Sequence, residues 1–424
     1  MAWGLFAGGR TMSIEHVVGF DEALAIVLRE AAGAGMQAHE TAALPECTGR
    51  VLAEGVTAER DQPPFDRSAR DGFAVRASDV LAGADLVVAG LVRAGEQWNG
   101  LALGEGAAIE IMTGAPVPDG ADAVVMVEHV ERLAADKIHL MAGRSVRSGE
   151  NIVPRGSEAR AGDVVMQAGA VLKGAEIALA AACGRAALKV FRRPRVAIVA
   201  TGDELVELDA APLPQQIRNS NSYGLAALVG GAGGEAVRLP IARDRREELV
   251  ETIRQARGCD LLLLSGGVSM GKYDLVEEVL LALGAEFFFT GVKMQPGKPV
   301  VFGRLPAAGG FPAQFFFGLP GNPVSTQLTF HCFVEPLLGG LRGEAMRGLQ
   351  FVQATLGEDV AGKAGLMRVL PAWLTTDRVC PEVKLVRWQG SGDMVANARA
   401  NCYAVLPPDR ERFARGDVIA VLLR

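Results

Sequence analysis

The chain has 424 residues and a formal net charge of −6, with 49% hydrophobic and 22% charged residues. That length predicts about three domains, or up to four small ones, and the acidic balance argues against the basic face that nucleic-acid binding needs. Six cysteines (Cys47, Cys183, Cys259, Cys332, Cys380 and Cys402) stand singly with no C-x-x-C pair, which argues against a structural zinc site or a disulfide framework.

The first residues, MAWGLFAGGRTMS, lack the basic lead and long apolar core of a signal peptide. No run of about 18 apolar residues predicts a membrane span, so a cytoplasmic protein without a membrane partner is expected. Residues 21–33 place Leu24, Val27, Leu28 and Ala31 on one helical face, with Asp21 available as a cap. From about 57 to 144 short strands and turns take over: DGFAV, ADLVVAG and AAIEI read as strands. A polar stretch, GENIVPRGSEARAGD, then precedes an Ala-rich helix, KGAEIALAAACG.

A joint falls at Arg192-Arg193-Pro194, after which strands and helices alternate. VAIVA, EAVRLPIA and DLLLL are predicted strands, separated by the helices NSYGLAALVGG and DRREELVETIRQARG. AEFFFTG, PVVFG and QFFFGL follow, then a long helix from 323 to about 341. Such alternation predicts a mostly parallel sheet covered by helices on both faces. Ligands of such sheets sit at the carboxyl ends of the strands. After about 343 evenly spaced strands, with turns at SGD, PPD and RGD, predict a small all-β domain.

The candidate chemistry gathers at three strand ends. LLLLSGGVSMGKYD (261–274) is a strand, a glycine turn and a helix start; its free backbone N–H groups suit a phosphate, with Ser265 and Ser269 as further donors and Asp274 as a neighbouring acid. TGDEL (201–205) puts Asp203 and Glu204 after a buried strand, where two carboxylates, waters and ligand phosphates together suit Mg²⁺. Asp244, in ARDRREEL, reads equally as a helix cap. In GLPGNPVS (318–325) Gly321 permits close approach, Asn322 can cap, and Pro323 takes the first helical position, so a second anion site at a helix start is expected. Lys298, in QPGKP, sits on a turn between these loops. The five histidines have no metal-ligand spacing.

Taken in order, PPFDRSARDGFAV, MTGAPVPDGADAVVM, GENIVPRGSEARAGD, TGDEL, SGGVSMGKYD, MQPGKPVVFG and GLPGNPVS resemble the MoeA family of molybdopterin molybdenumtransferases, which includes the E domain of gephyrin, over about residues 13–424. The resemblance implies a multi-domain α/β plus β fold. Its parts are a split helical domain (13–58 and 145–192, the dimerisation unit), an inserted β domain (59–144), a three-layer α/β molybdopterin-binding domain (193–342) and a C-terminal β-barrel (343–424). It also implies a homodimer whose cleft is shared between subunits, and Mg²⁺-dependent insertion of molybdate into adenylylated molybdopterin with release of AMP. Molybdopterin adenylyltransferase and molybdoenzyme apoproteins or chaperones are the further partners it implies. The residues it singles out as catalytic are Asp66, Glu204, Asp244, Asp274 and Lys298. Those it implies for ligand binding are Thr113, Thr201, Ser265, Gly266, Gly267, Ser269, Pro320, Gly321, Asn322, Pro323, Arg368 and Ser391; for the metal they are Asp203, Glu204 and Asp274.

The chain departs from the family pattern near the expected oxyanion site. Val153 and Pro154 stand where many members have two arginines, Gln295 where a lysine is common, and Val395 and Ala396 where serines are common. Ser391, Arg368 and Lys298 are expected to compensate. A non-catalytic scaffold protein and a tungstate-inserting enzyme are the alternatives.

Overall fold

The computed structural model describes residues 16–34, 38–81, 85–267, 275–345, 348–376 and 379–424. At its centre is a six-stranded sheet in the order Glu235–Arg238, Arg195–Ala200, Leu261–Ser265, Gln314–Leu319, Val301–Leu305 and Glu286–Phe289. The first four strands are parallel, Val301–Leu305 runs antiparallel to them, and Glu286–Phe289 is antiparallel to Val301–Leu305. Strands buried on both faces need to be apolar along their whole length, and Leu261–Leu264 are accordingly all at 0% exposure. Helices Arg246–Ala256 and Leu275–Ala282 bury Leu249, Ile253, Val276 and Val279 on one face, and Ser220–Gly231 packs on the other. Chain order reverses at strand Arg195–Ala200: its successor pairs on one side and the next strand on the other. That switch point is where open α/β sheets leave a crevice for ligands.

Helix Phe20–Ala32 turns Phe20, Ala23, Ile26, Val27 and Ala31 into this α/β core, against Phe333, Leu337 and Leu341. Residues 17–32 thus pack against the α/β unit. Asp21 lies in the first turn and does not cap it, because the helix begins after Gly19. The split unit itself consists of short ladders, His39–Ala43 with Ala187–Phe191 and Val56–Thr57 with Val164–Met166, around helix Gly174–Ala182. The inserted unit is a six-stranded sheet containing Gly72–Val75, Ala107–Ile111 and Leu86–Val92.

In the C-terminal region Met367–Thr375, Glu382–Leu385, Phe351–Leu356, Val418–Leu423 and Cys402–Leu406 close into a five-stranded barrel, the first pairing with the last. Met294–Gln295 of the α/β unit joins the barrel sheet beside Met367 and Arg368. The all-β reading of this region needs one correction: after the SGD turn comes helix Met394–Arg399, started by Asp393, whose carboxylate accepts from the Ala396 N–H. The long helix from 323 is also not regular, since residues 330–334 form a π turn between Pro323–Thr329 and Glu335–Leu341.

Candidate functional site at the sheet switch point

A cavity of about 790 Å³ opens at the carboxyl ends of strands Arg195–Ala200 and Leu261–Ser265. Thr201, Gly202 and Glu204 line it from the first strand end; Ser265, Gly266 and Gly267 line it from the second; Pro320, Gly321, Asn322 and Pro323 line it from the third. The three motifs identified from the sequence do meet in one place. Gly266 and Gly267 carry φ of +93° and +66°, a left-handed backbone that glycine adopts without steric cost. A Cβ on Gly267 would lie 2.8 Å from the Thr201 hydroxyl and 2.7 Å from Val276 Cγ2, so the turn is shaped by close approach as well as by φ.

Thr201 is 4% exposed and its Oγ1 is buried with no hydrogen-bond partner among the described residues. A buried hydroxyl left unpaired costs free energy, and this one lines the cavity. Asn219 shows the same pattern: its Oδ1 accepts from the Ser222 N–H and hydroxyl, while its Nδ2 is buried without a partner. Beside it, Asn221 Nδ2 donates both to Ser265 Oγ (2.9 Å) and to the Gly321 carbonyl (2.8 Å), tying two of the three loops to the start of helix Ser220–Gly231. The sequence reading passed over the whole 218–221 wall. An Asn at a helix start reads as a cap, and the long-range partners that give it a second role are invisible locally.

The acids form the opposite rim. Asp244 lines the cavity, and the Asp203 side chain accepts from its backbone N–H at 3.4 Å. Burial first, then the charges of Asp203 and Glu204, push the Asp244 carboxyl above its ordinary range. Arg243 lies close but donates to the backbone carbonyls of Asp203 and Leu205 rather than to the Asp203 carboxylate. Asp244 is not a helix cap: helix Arg246–Ala256 starts after Arg245. Oxygen donors short of positive charge fit a hard divalent cation. Among the described residues, however, no three ligating side chains stand close enough to hold one ion by themselves. This suits Mg²⁺, which is normally held by one or two carboxylates together with waters and substrate phosphates. Asp274 and Ser269 lie outside the described residues.

The barrel closes the cavity through Gly392 and Met394. Ser391 contributes its carbonyl, which accepts from the Val324 N–H at 3.0 Å. One of the free donors expected at the start of helix Pro323–Thr329 is therefore already taken, and the second anion site is narrower than the sequence reading supposed. Asn322 makes no side-chain cap there, although Pro323 does occupy the first turn.

Arg368 pairs with Gln295, three residues before Lys298, and neither Lys298 nor Arg368 lines the cavity. Arg368 donates to the Ala361 carbonyl, its Nε is buried without a partner, and burial lowers its affinity for the proton. Asp66 and Thr113 form part of a separate cluster on the inserted unit. Asp66 Oδ1 accepts from the Arg155 N–H at 2.7 Å, and Asp71 Oδ1 accepts from the Thr113 N–H and hydroxyl at 2.6 and 2.8 Å. Arg155 is itself held by Asp61, and Arg67 by Glu158. Neither Asp66 nor Thr113 reaches the switch-point cavity of the same chain.

Fold and cavity together define a class: a multidomain α/β protein with a cavity at a sheet switch point beneath the edge of a small barrel. Comparison with known proteins narrows the class. Residues 18–184 match the MoeA N-terminal region (domains I and II), 197–340 match a probable molybdopterin binding domain, and 353–423 match the MoeA C-terminal region (domain IV). A molybdopterin molybdenumtransferase from a Nostoc species is 37% identical over 385 residues, which is 88% of this chain and 86% of the relative. One from Staphylococcus aureus is 33% identical over 389 residues, 90% of each chain. The crystal structure of the molybdopterin biosynthesis MoeA protein from Pyrococcus horikoshii superposes with a TM-score of 0.78 at 30% identity, covering 96% of this chain and all of that one. The chain belongs to the MoeA family. No described helix is long and apolar enough to cross a membrane.

Proposed function

We propose that this chain is a molybdopterin molybdenumtransferase that inserts molybdate into adenylylated molybdopterin and releases AMP. The observation that carries the reading is the pairing, in one cavity, of a glycine-turn cradle with the carboxylates of Glu204 and Asp244. The Gly266 N–H donates to the Leu319 carbonyl at 3.2 Å, so the donors offered to a phosphate are the Gly267 N–H and the Thr201 hydroxyl. One or two of Asp203, Glu204 and Asp244, together with waters and the ligand phosphate, would hold Mg²⁺, which when bound would neutralise phosphate charge and polarise the phosphoryl bond to the nucleotide. Asn221 keeps the Ser265 and Gly321 loops at a fixed separation, so the phosphate is presented in one orientation.

Molybdate, a dianion, needs cationic donors of its own, since an ion taken from water without a partner costs several kcal/mol. Lys298 and Arg368 are the residues proposed to supply them, with Ser391 nearby. Asp66 and Thr113 sit apart from the cavity of their own chain, and in a homodimer the partner's inserted unit would bring them to it; a shared cleft is therefore part of the proposal. Molybdopterin adenylyltransferase would supply the ligand, and molybdoenzyme apoproteins or chaperones would receive the product.

The test is direct. Purified chain, adenylylated molybdopterin, molybdate and Mg²⁺ are combined and AMP is measured. Stoichiometric release that needs both molybdate and Mg²⁺, and is lost in Glu204→Gln with folding intact, supports the reading. Absence of release from the wild-type chain, or undiminished release by Glu204→Gln, defeats it.

A further inference from the structure

We infer that Arg218 is a specificity-determining residue that binds a phosphate oxygen of the ligand in the switch-point cavity. Among the described residues it is the only lysine or arginine lining that cavity. The cavity otherwise presents two carboxylates, Glu204 and Asp244, together with backbone and neutral polar groups. A phosphorylated ligand there needs a cation on the protein side, and Arg218 is the side chain placed to supply it.

Its charge is free for the purpose. Arg218 Nε donates to the Leu208 carbonyl at 3.2 Å and its NH2 donates to the Ala210 carbonyl at 3.3 Å, both in the segment that leads into it. Carbonyls orient a guanidinium without neutralising it, and no described carboxylate forms an ion pair with Arg218. Five N–H donors in a rigid plane leave three after those two bonds, a geometry matched to phosphate oxygens. The short parallel pairing of Leu205–Val206 with Ile217–Arg218 fixes the backbone of the residue.

The neighbours of Arg218 point the same way. Asn219 and Thr201 line the same cavity, and Asn219 Nδ2 and Thr201 Oγ1 are each buried without a partner among the described residues. The twelve-residue helix Ser220–Gly231 starts two positions later, with the positive end of its dipole at this wall. A guanidinium, an amide, a hydroxyl and a helix start are four donors around one space, and together they select a phosphate.

This inference rests on the proposed function for the identity of the ligand, and its test is arranged to be independent of turnover. Binding of adenylylated molybdopterin is measured without molybdate by titration calorimetry for the wild type, Arg218→Gln and Arg218→Lys, with Arg254→Gln on the outer helix as a control. AMP and molybdopterin lacking the nucleotide are run as separate probes, to show which phosphate is contacted. Loss of a charge-assisted hydrogen bond predicts roughly 10- to 100-fold weaker binding for Arg218→Gln and a flatter dependence on ionic strength. Arg218→Lys should recover part of the affinity, with melting temperature and the Arg254→Gln control unchanged. Wild-type affinity for all three probes in Arg218→Gln would overturn the assignment. So would equal losses in Arg218→Gln and Arg218→Lys accompanied by a lowered melting temperature, which would mark the residue as structural. A wild-type chain that binds the ligand yet releases no AMP would sink the proposed function and leave the role of Arg218 standing.

Discussion

The backbone N–H of Val324 donates to the carbonyl of Ser391 at 3.0 Å, so the barrel closes the first turn of the helix that follows the LPGNP loop. Two domains thereby share a wall of one cavity, with Pro320 to Pro323 contributed by the α/β unit and Gly392 and Met394 by the barrel. A displacement of the 389–394 loop would therefore be felt at the site without any change in the α/β domain.

Asp393 holds that loop. Its carboxylate accepts from the N–H groups of Ala396 and Gln389, both at 3.0 Å, and these bonds, Ala396 first, keep its carboxyl below the ordinary range. Asp393→Ala is expected to fray helix Met394–Arg399, lower the melting temperature modestly and raise the KM for the ligand more than it lowers kcat. A depressed carboxyl contributes stability above its unfolded value and loses it as pH falls through the folded one, so the gap between variant and wild type should close on acidification. Thermal melts from pH 7 downward check this; a gap that stays constant would show that the carboxylate contributes nothing there.

Asp244 behaves in the opposite sense. Burial, Asp203 and Glu204 raise its carboxyl, so the folded chain binds that proton more tightly than the unfolded chain does. Stability without a divalent cation then falls as pH rises from the ordinary carboxylate range through the raised value. Asp244→Asn removes the repulsion. It is expected to melt at or above the wild-type temperature in chelator at pH 7, and to lose the stabilisation that Mg²⁺ gives the wild type. Equal Mg²⁺-induced shifts in both proteins would show that Asp244 takes no part in holding the cation.

Much of the α/β unit could be read in advance because its signals are local. The run Leu261–Ser265 can only be buried on both faces, and three loop motifs at strand ends must converge once the sheet is parallel. What escaped was set by partners far along the chain. Asn221 reaches Ser265 and Gly321 over 44 and 100 positions, and no periodicity announces that. Helix Met394–Arg399 is six residues long and reads as part of a turn. Lys298 stands out on its turn and Arg368 only through the resemblance; neither lines the cavity, whose wall carries Arg218, which looks in sequence like a strand-end residue facing solvent. Asp66 and Thr113 could be named only through the family motifs, and their hydrogen bonds with Arg155 and Asp71 show a well-built cluster standing apart from the cavity.

Gly267 tests how far the cradle depends on its backbone. An alanine there must hold φ near +66° and place its Cβ 2.7 Å from Val276 Cγ2 and 2.8 Å from Thr201 Oγ1. The left-handed backbone alone costs about 1–3 kcal/mol for a residue other than glycine, and the contacts add to that. Gly267→Ala is expected to melt several degrees lower and to bind ligand weakly. An unchanged melting temperature would mean that the turn relaxes freely and is not held by Thr201 and Val276.

Thr201 separates binding from folding more cleanly. Its Oγ1 is buried without a hydrogen-bond partner among the described residues, so the fold gains nothing from the hydroxyl. Thr201→Val keeps the branched shape and removes only the polar atom, a change that is nearly neutral or stabilising when the atom has no partner. If the ligand phosphate completes that hydrogen bond, the variant should melt at or slightly above the wild-type temperature and bind adenylylated molybdopterin about 3- to 10-fold more weakly, the range of one ordinary hydrogen bond. Calorimetric titration and thermal melts on the same preparations read both quantities. A lowered melting temperature would mean that the hydroxyl serves the fold, and unchanged affinity would mean that the ligand never reaches it; either result would remove Thr201 from the cradle.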